Sequence, residues 1–212
     1  LGRLVARLHN TGAGSAMQHR PFFSAERYLA EPLHSPKEHN FLKPGFATEY
    51  ETLVDLFTRE WNAREASHPQ QRIHGDLHKG NILHGREGWF LLDFDDSLTG
   101  PPLQDVWMMF SGRPQHERGV FLEAYRELRD FDDAWLADAE ILRAMRIVHY
   151  SGWIARRYED PSFTAAFPDF ASDSYWEEEI RVLRGIAATL YSFTGDDAEQ
   201  LTNRDFFFDY DD

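Results

Sequence analysis

Residues 73–81 read Ile-His-Gly-Asp-Leu-His-Lys-Gly-Asn, and residues 91–96 read Leu-Leu-Asp-Phe-Asp-Asp. Asp76 and Asn81 lie close together in the first stretch, and Asp93 follows an apolar run with the pattern of a strand. Phosphoryl transfer from Mg·ATP needs one carboxylate to orient the attacking hydroxyl, and a second carboxylate with an amide to hold the metal. The pattern therefore predicts a phosphotransferase in which Asp76 is the catalytic base and Asn81 and Asp93 are Mg²⁺ ligands.

Four further polar residues belong to this pattern. His78 and Lys79 lie in the loop where the γ-phosphate of ATP would pass, so His78 is placed to hydrogen-bond that phosphate and Lys79 to neutralise it. A solvent-facing position fits Lys79 equally well. His74 follows an apolar residue at a strand end, which is typical of a structural histidine that holds a loop. Asp105 opens a helix, and we expect its carboxylate to accept backbone N–H groups of the loop as a support residue.

Asp95 and Asp96 follow Asp93 so closely that the three carboxylates repel one another, which favours a cation nearby. For Asp95 and Asp96 a solvated turn is an equally good interpretation.

A metal-dependent hydrolase is the second enzymatic interpretation of the same stretch. His-x-Asp-x-His sequences do occur in such sites, but this interpretation leaves Asn81 without a role. It would use four side chains as ligands of Zn²⁺ or Mn²⁺: His74, Asp76, His78 and Asp93.

The composition excludes several other classes. The chain has 212 residues, of which 42% are hydrophobic and 27% charged, an ordinary globular balance. Its net charge of −14 disfavours binding to nucleic acid, because the phosphate backbone attracts basic residues. Without cysteine it forms no disulfide, and it has neither a membrane-spanning run nor a visible signal peptide. We therefore expect a cytoplasmic monomer that binds ATP and a hydroxyl-bearing substrate, and neither nucleic acid nor a membrane.

Periodicity indicates an α+β protein that is mostly helical, with a small β-hairpin that carries the motif loop. A first helix is expected to end at residues 10–15, and residues 20–46 resemble a long surface segment with short turns. Short strand-like pieces surround the motifs, with a hairpin turn at residues 85–88. Further helices are predicted at 47–64, 102–111, 115–129, 133–158 and 173–193.

The motifs resemble those of the aminoglycoside-phosphotransferase-like branch of the protein-kinase superfamily. The resemblance rests on His74-Gly-Asp-Leu-His-x-Gly-Asn81, then Asp93-Phe-Asp-Asp, then Gly100-Pro-Pro-x-x-Asp105. It implies the fold of a protein-kinase-like C-terminal lobe and the same roles for the catalytic base, the Mg²⁺ ligands and the support residue. Additional residues narrow the resemblance to bacterial serine/threonine kinases of this branch: Ala6-Arg7-Leu8-His9-Asn10 with Gly12, His19-Arg20-Pro21, and Gln104-Asp105-x-Trp107-Met108.

The family also has an N-terminal lobe whose third strand carries a lysine. The chain has three lysines, Lys37, Lys43 and Lys79, and none lies on a strand before the loop. We therefore expect residues 1–212 to form the C-terminal lobe, with a nucleotide-clamping lobe of about a hundred residues missing. The fragment alone should have little activity, because positioning supplies most of the catalysis of phosphoryl transfer.

The resemblance favours transfer to a serine or threonine hydroxyl of a protein. A small-molecule kinase acting on an aminoglycoside, choline or a sugar shares the motif and remains open. A third possibility is a non-catalytic binding module or pseudokinase, for which the aromatic and acidic residues 205–212 would be a docking segment. The alternative for residues 206–208 is that they pack back on the helices.

Overall fold

The computed structural model describes residues 1–14, 19–111 and 113–192. Its α-helices are α1 (Gly2–Ala13), α2 (Glu31–Glu38), α3 (Pro44–Arg64), α4 (Leu103–Phe110), α5 (Gln115–Arg126), α6 (Ala139–Ala155), α7 (Pro161–Ala166) and α8 (Asp173–Ser192). Its strands are β1 (Gln71–Ile73), β2 (Ile82–Gly85), β3 (Gly88–Leu91) and β4 (Leu98–Gly100). A π-helical turn (Glu26–Ala30) precedes α2, and 3₁₀ turns occupy Glu65–Ser67, Lys79–Asn81 and Asp133–Asp138. The predicted α+β class is confirmed. No helix in these ranges is both long and apolar enough to cross a membrane.

The chain divides into two compact units. The first unit contains residues 1–23 and 68–139, and with them α1, the four strands, α4 and α5. The second unit contains, among the described residues, 24–67 and 140–192, and with them α2, α3, α7, α8 and nearly all of α6.

Two small antiparallel sheets shape the first unit. β1 pairs with β4, with Ile73 opposite Leu98, whereas β2 and β3 form a hairpin with Ile82 opposite Leu91. The predicted turn at residues 85–88 is confirmed, but β4 was not predicted. The motif loop runs from β1 into β2, so it precedes the hairpin rather than lying inside it.

Helix α1 lies directly against β1. Gly12 is the residue that allows this, because a Cβ there would lie 2.1 Å from the carbonyl oxygen of Arg72. The predicted helix end at residues 10–15 is confirmed, since α1 ends at Ala13. Gly12 therefore serves close packing inside the helix rather than a turn.

In the second unit, the predicted stripe on α3 is confirmed. Its five apolar residues are all buried: Tyr50, Leu53, Val54, Phe57 and Trp61. The helix predicted at 173–193 is α8 of the same unit. In the first unit, the helices predicted at 102–111 and 115–129 are α4 and α5, and both end earlier than predicted.

Two expectations from the sequence were wrong. Residues 20–46 are not a surface segment with short turns, because the π-helical turn and α2 lie there and bury Tyr28 and Leu29. Pro32 occupies the first turn of α2, where proline suits a helix, so its presence did not indicate a loop. The helix predicted at 133–158 begins as a 3₁₀ segment and is α-helical only from Ala139 to Ala155.

The docking segment predicted at residues 205–212 lies outside the described residues.

Candidate active site

The candidate site is the loop between β1 and β2. Gly75 lets this loop approach the segment that follows β3: its φ is +87°, and a Cβ there would lie 2.4 Å from the carbonyl oxygen of Asp96. Both the left-handed φ and the lack of space require glycine. The two motif stretches that are separate in sequence are thus in contact.

Asp105 holds the beginning of this loop. Its carboxylate is fully buried in the first turn of α4 and accepts the backbone N–H of His74 at 2.8 Å and that of Gly75 at 2.9 Å. Gln104, beside it, donates to the carbonyl oxygen of Gly75 at 3.2 Å. Side chains of α4 therefore form hydrogen bonds with the backbone of the first residues of the loop.

A buried histidine on α1 completes the surroundings of Asp105. His9 Nε2 lies 3.0 Å from Asp105 Oδ2, and His9 Nδ1 lies 2.7 Å from the hydroxyl of Tyr125. Burial raises the pKa of Tyr125, so this hydroxyl keeps its proton. The Asp105 carboxylate can only accept, so His9 donates to it from Nε2. The sequence analysis included His9 in a motif but assigned it no structural role, because His9 and Asp105 are far apart in sequence.

His74 joins the loop to the segment after β3. Its Nε2 lies 2.7 Å from the carbonyl oxygen of Leu92, its Nδ1 accepts the backbone N–H of Asp76 at 3.4 Å, and its ring lies 4.7 Å from that of Phe94. Both ring nitrogens are engaged, which agrees with a structural rather than a chemical function.

Asp76, His78 and Asn81 are brought together. Asn81 Nδ2 donates to the carbonyl oxygen of Asp76 at 2.9 Å, and the backbone N–H of His78 donates to the same oxygen at 3.0 Å. The ring nitrogen Nε2 of His78 lies 3.5 Å from Asp76 Oδ2. Because the Asn81 amino group is engaged, its carbonyl oxygen Oδ1 is the atom left to bind a ligand.

Asp93 follows strand β3, as the sequence predicts, and lies two residues beyond its end. Its φ is +58°, a left-handed conformation that is uncommon for a residue other than glycine and that clusters at functional sites. Its neighbour Leu92 donates to the carbonyl oxygen of Asn81 at 2.9 Å. Asp93 is exposed, so its carboxylate is accessible to a cation.

Lys79 and Asp95 have fewer contacts with the rest of the candidate site than the residues described above. Lys79 is exposed in the short 3₁₀ turn and is not joined by a described contact to the other candidate residues. Asp95 is also exposed, and its backbone carbonyl oxygen accepts a hydrogen bond from Arg20.

The metal-hydrolase interpretation gains no support from this arrangement. Within residues 1–14, 19–111 and 113–192, no three His, Cys, Asp or Glu side chains are grouped so that they could hold a metal ion. His74 in particular has both ring nitrogens occupied by the backbone.

A loop held by a helix-borne aspartate, with a carboxylate and an amide on it, defines the phosphotransferase class. The sequence profile of the Phosphotransferase enzyme family matches residues 1–141, so the chain belongs to this family. The resemblance to bacterial kinases is confirmed by two curated relatives. "Stress response kinase A" of Escherichia coli K12 is 37% identical over 183 residues, which cover 83% of this chain and 55% of that protein. "Serine/threonine protein kinase RdoA" of Salmonella typhimurium is 36% identical over 186 residues, which cover 84% and 56%.

A solved structure shows the same fold. Amicoumacin kinase hAmiN, in complex with AMP-PNP, Ca²⁺ and Ami, superposes with a TM-score of 0.59 at 20% identity, over 84% of this chain and 58% of that one. The chain spans little more than half the length of the curated relatives it matches.

Proposed function

We propose that the protein transfers the γ-phosphoryl group of ATP to a serine or threonine hydroxyl of a protein, with Mg²⁺. The relative named a serine/threonine protein kinase supports the substrate class. The observation that carries the proposal is the hydrogen bond from Asn81 to the backbone of Asp76, which fixes the candidate base and the candidate metal ligand on one short loop.

Asp76 is the group that would orient the attacking hydroxyl and take its proton. Its side chain is partly exposed, so a substrate can reach it. His78 Nε2 lies 3.5 Å from Asp76 Oδ2, so the imidazole can help to orient the carboxylate toward a hydroxyl.

The residues present fit a magnesium ion. Asn81 offers Oδ1 and Asp93 offers an exposed carboxylate, and hard oxygen atoms are the ligands that Mg²⁺ prefers. When bound, Mg²⁺ would neutralise the phosphate oxygens of ATP. His78 and Lys79 are the candidates for contact with the γ-phosphate, while His74 and Asp105 keep the loop in place.

We further propose that a nucleotide-clamping lobe outside residues 1–212 covers the hairpin. Large apolar side chains are exposed on β2, β3 and the segment after them, including Leu83 (51%), Trp89 (48%) and Phe94 (44%). Leu83 pairs with Phe90 (42%), so these two side chains share one face of the hairpin, and exposed apolar surface of this kind favours an interaction site. The curated relatives are long enough to supply such a lobe, since the chain covers only 55–56% of them.

Phosphorylation of a small hydroxyl compound is the second candidate. The observation that favours it is the fold likeness to an amicoumacin kinase bound to a nucleotide analogue, Ca²⁺ and Ami. A pseudokinase or binding fragment is less well supported, because Asp76, Asn81 and Asp93 are all present.

Incubation of the longer protein with γ-labelled ATP separates these candidates. Label on serine or threonine of added protein supports the proposal, whereas label on an aminoglycoside, choline or a sugar supports the second candidate. The matched control is Asp76→Asn, which should abolish either signal. If neither the added protein nor a small compound is labelled although ATP binds, the result would support a pseudokinase or binding fragment.

A further inference from the structure

One face of α6 in the second unit is rich in cationic and aromatic side chains. Arg146, His149 and Trp153 follow one another at helical spacing, and Arg156 continues the row one residue past the helix end. Residues three, four and seven positions apart lie on the same side of a helix. These side chains therefore form one continuous strip along the helix.

The π-helical turn that precedes α2 packs on this strip. The ring of Tyr28 lies 4.7 Å from that of His149, and the backbone of Arg27 is close enough to the imidazole to influence its pKa. Arg27 therefore lies beside His149. Single turns of π-helix are rare and are found frequently at functional sites.

Two buried nitrogen atoms at this place have no partner in the described part of the chain. They are Nε of Arg27 and Nδ1 of His149. No ion pair joins the guanidinium of Arg27 or of Arg156 to a described carboxylate, although acidic residues outnumber basic ones by 36 to 22. Buried polar groups are nearly always hydrogen-bonded, so each exception needs a physical explanation.

The local charge is positive. Burial and then the charges of Arg146, Arg156 and Arg27 lower the pKa of His149 to about 4. Several cations thus act on one imidazole that is itself neutral near pH 7. An anion placed among them would be attracted by all of them, and Arg156 is exposed, so a ligand can enter from solvent.

We propose that Arg27, Arg156 and His149, called here the basic cluster, bind a phosphate monoester. Guanidinium groups form the strongest charge-assisted hydrogen bonds with phosphate and carboxylate oxygens. Phosphate fits better than carboxylate, because it carries more charge at neutral pH and has three acceptor oxygens to share among the cluster. The phosphate could belong to a free small molecule or to a phosphorylated serine of a peptide.

The test is a titration of the 212-residue chain at low ionic strength with inorganic phosphate and with a phosphoserine peptide. The Arg Nε–H and imidazole resonances should shift and saturate at Arg27, Arg156 and His149. Arg156→Gln, at an exposed position that should not disturb folding, should weaken binding about tenfold. Arg27→Gln should have a similar or larger effect.

The control is Arg59→Gln, which removes the same charge from an exposed position on α3 of the same unit. It should change the affinity less than about twofold. Tighter binding of the phosphopeptide than of phosphate would assign the cluster to phosphorylated chains, and equal binding would assign it to free phosphate. Equal losses in Arg156→Gln and Arg59→Gln, or no saturable shift with either probe, would overturn the proposal.

Discussion

The side-chain amide of Asn81 donates a hydrogen bond to the backbone carbonyl oxygen of Asp76 at 2.9 Å. This contact closes the short loop on itself and leaves the Asn81 carbonyl oxygen for a ligand. The loop is in turn held at its beginning by Asp105, through the backbone N–H groups of His74 and Gly75. The geometry of the candidate site thus depends on a buried support residue as much as on the residues that would contact substrate.

Replacing Asp105 with Asn should destabilise the first unit. The side-chain amide would present an N–H group to the backbone donors that the carboxylate now satisfies, and an unsatisfied buried donor costs about 2 kcal/mol. Urea unfolding should show this loss in the free energy of unfolding. Asp130→Asn, at an exposed position, is the control and should change it by less than about 0.5 kcal/mol. Equal stability of the two variants would show that the Asp105 contacts contribute little.

The second unit contains a buried acid whose effect on stability depends on pH. Glu179 accepts hydrogen bonds from Tyr50 at 2.6 Å and from Ser151 at 2.5 Å, yet burial is the largest influence and raises its pKa above the ordinary 4.5. A raised folded-state pKa gives stability that is present below pH 4.5 and is lost as the pH rises through the folded value.

Replacing Glu179 with Gln removes the carboxyl group whose protonation causes this pH dependence. The free energy of unfolding of Glu179→Gln, relative to the unchanged protein, should therefore increase as the pH rises from 4.5. Chemical unfolding at a series of pH values measures it. A difference that stays constant over this range would mean that the pKa of Glu179 is the same in both states.

His149 should act in the opposite direction. Its pKa is lowered from 6.5 to about 4 by burial first and by nearby arginines second. The unfolded chain then binds a proton that the folded chain does not, so stability should fall as the pH falls from 6.5 to about 4, by up to about 3 kcal/mol. His149→Gln should remove this acid-side loss. If both proteins lose stability in parallel, the imidazole is not its source.

The chain alone should be a poor catalyst. If a clamping lobe covers the exposed face of the hairpin, ATP is not positioned without it, and turnover should be at least about 100-fold lower than that of the longer protein. Initial rates with γ-labelled ATP, at equal concentrations of folded protein, provide the comparison. Similar rates would refute the proposal of a missing lobe.

The loop motif, the hairpin and the long amphipathic helices could be predicted, because each depends on residues that are close together in sequence. The segment at 20–46 could not, because its proline and histidine content concealed a helix that tertiary packing buries. His9 belonged to a motif of the family resemblance, but its contact with Asp105 could not be predicted, because only the folded chain brings the two residues together. The left-handed conformation of Asp93 was also beyond prediction, since nothing local distinguishes it from an aspartate at the end of a strand.

The most direct test of the central claim is single-turnover phosphoryl transfer by the longer protein with Asp76→Asn, Asp93→Asn and the control Asp130→Asn. Loss of the base should lower the rate about 100-fold or more while ATP binding stays unchanged. Loss of the metal ligand should lower the rate and raise the Mg²⁺ concentration needed for half-maximal activity. The control should be unaffected. Full activity in Asp76→Asn, or an unchanged Mg²⁺ requirement in Asp93→Asn, would contradict the account.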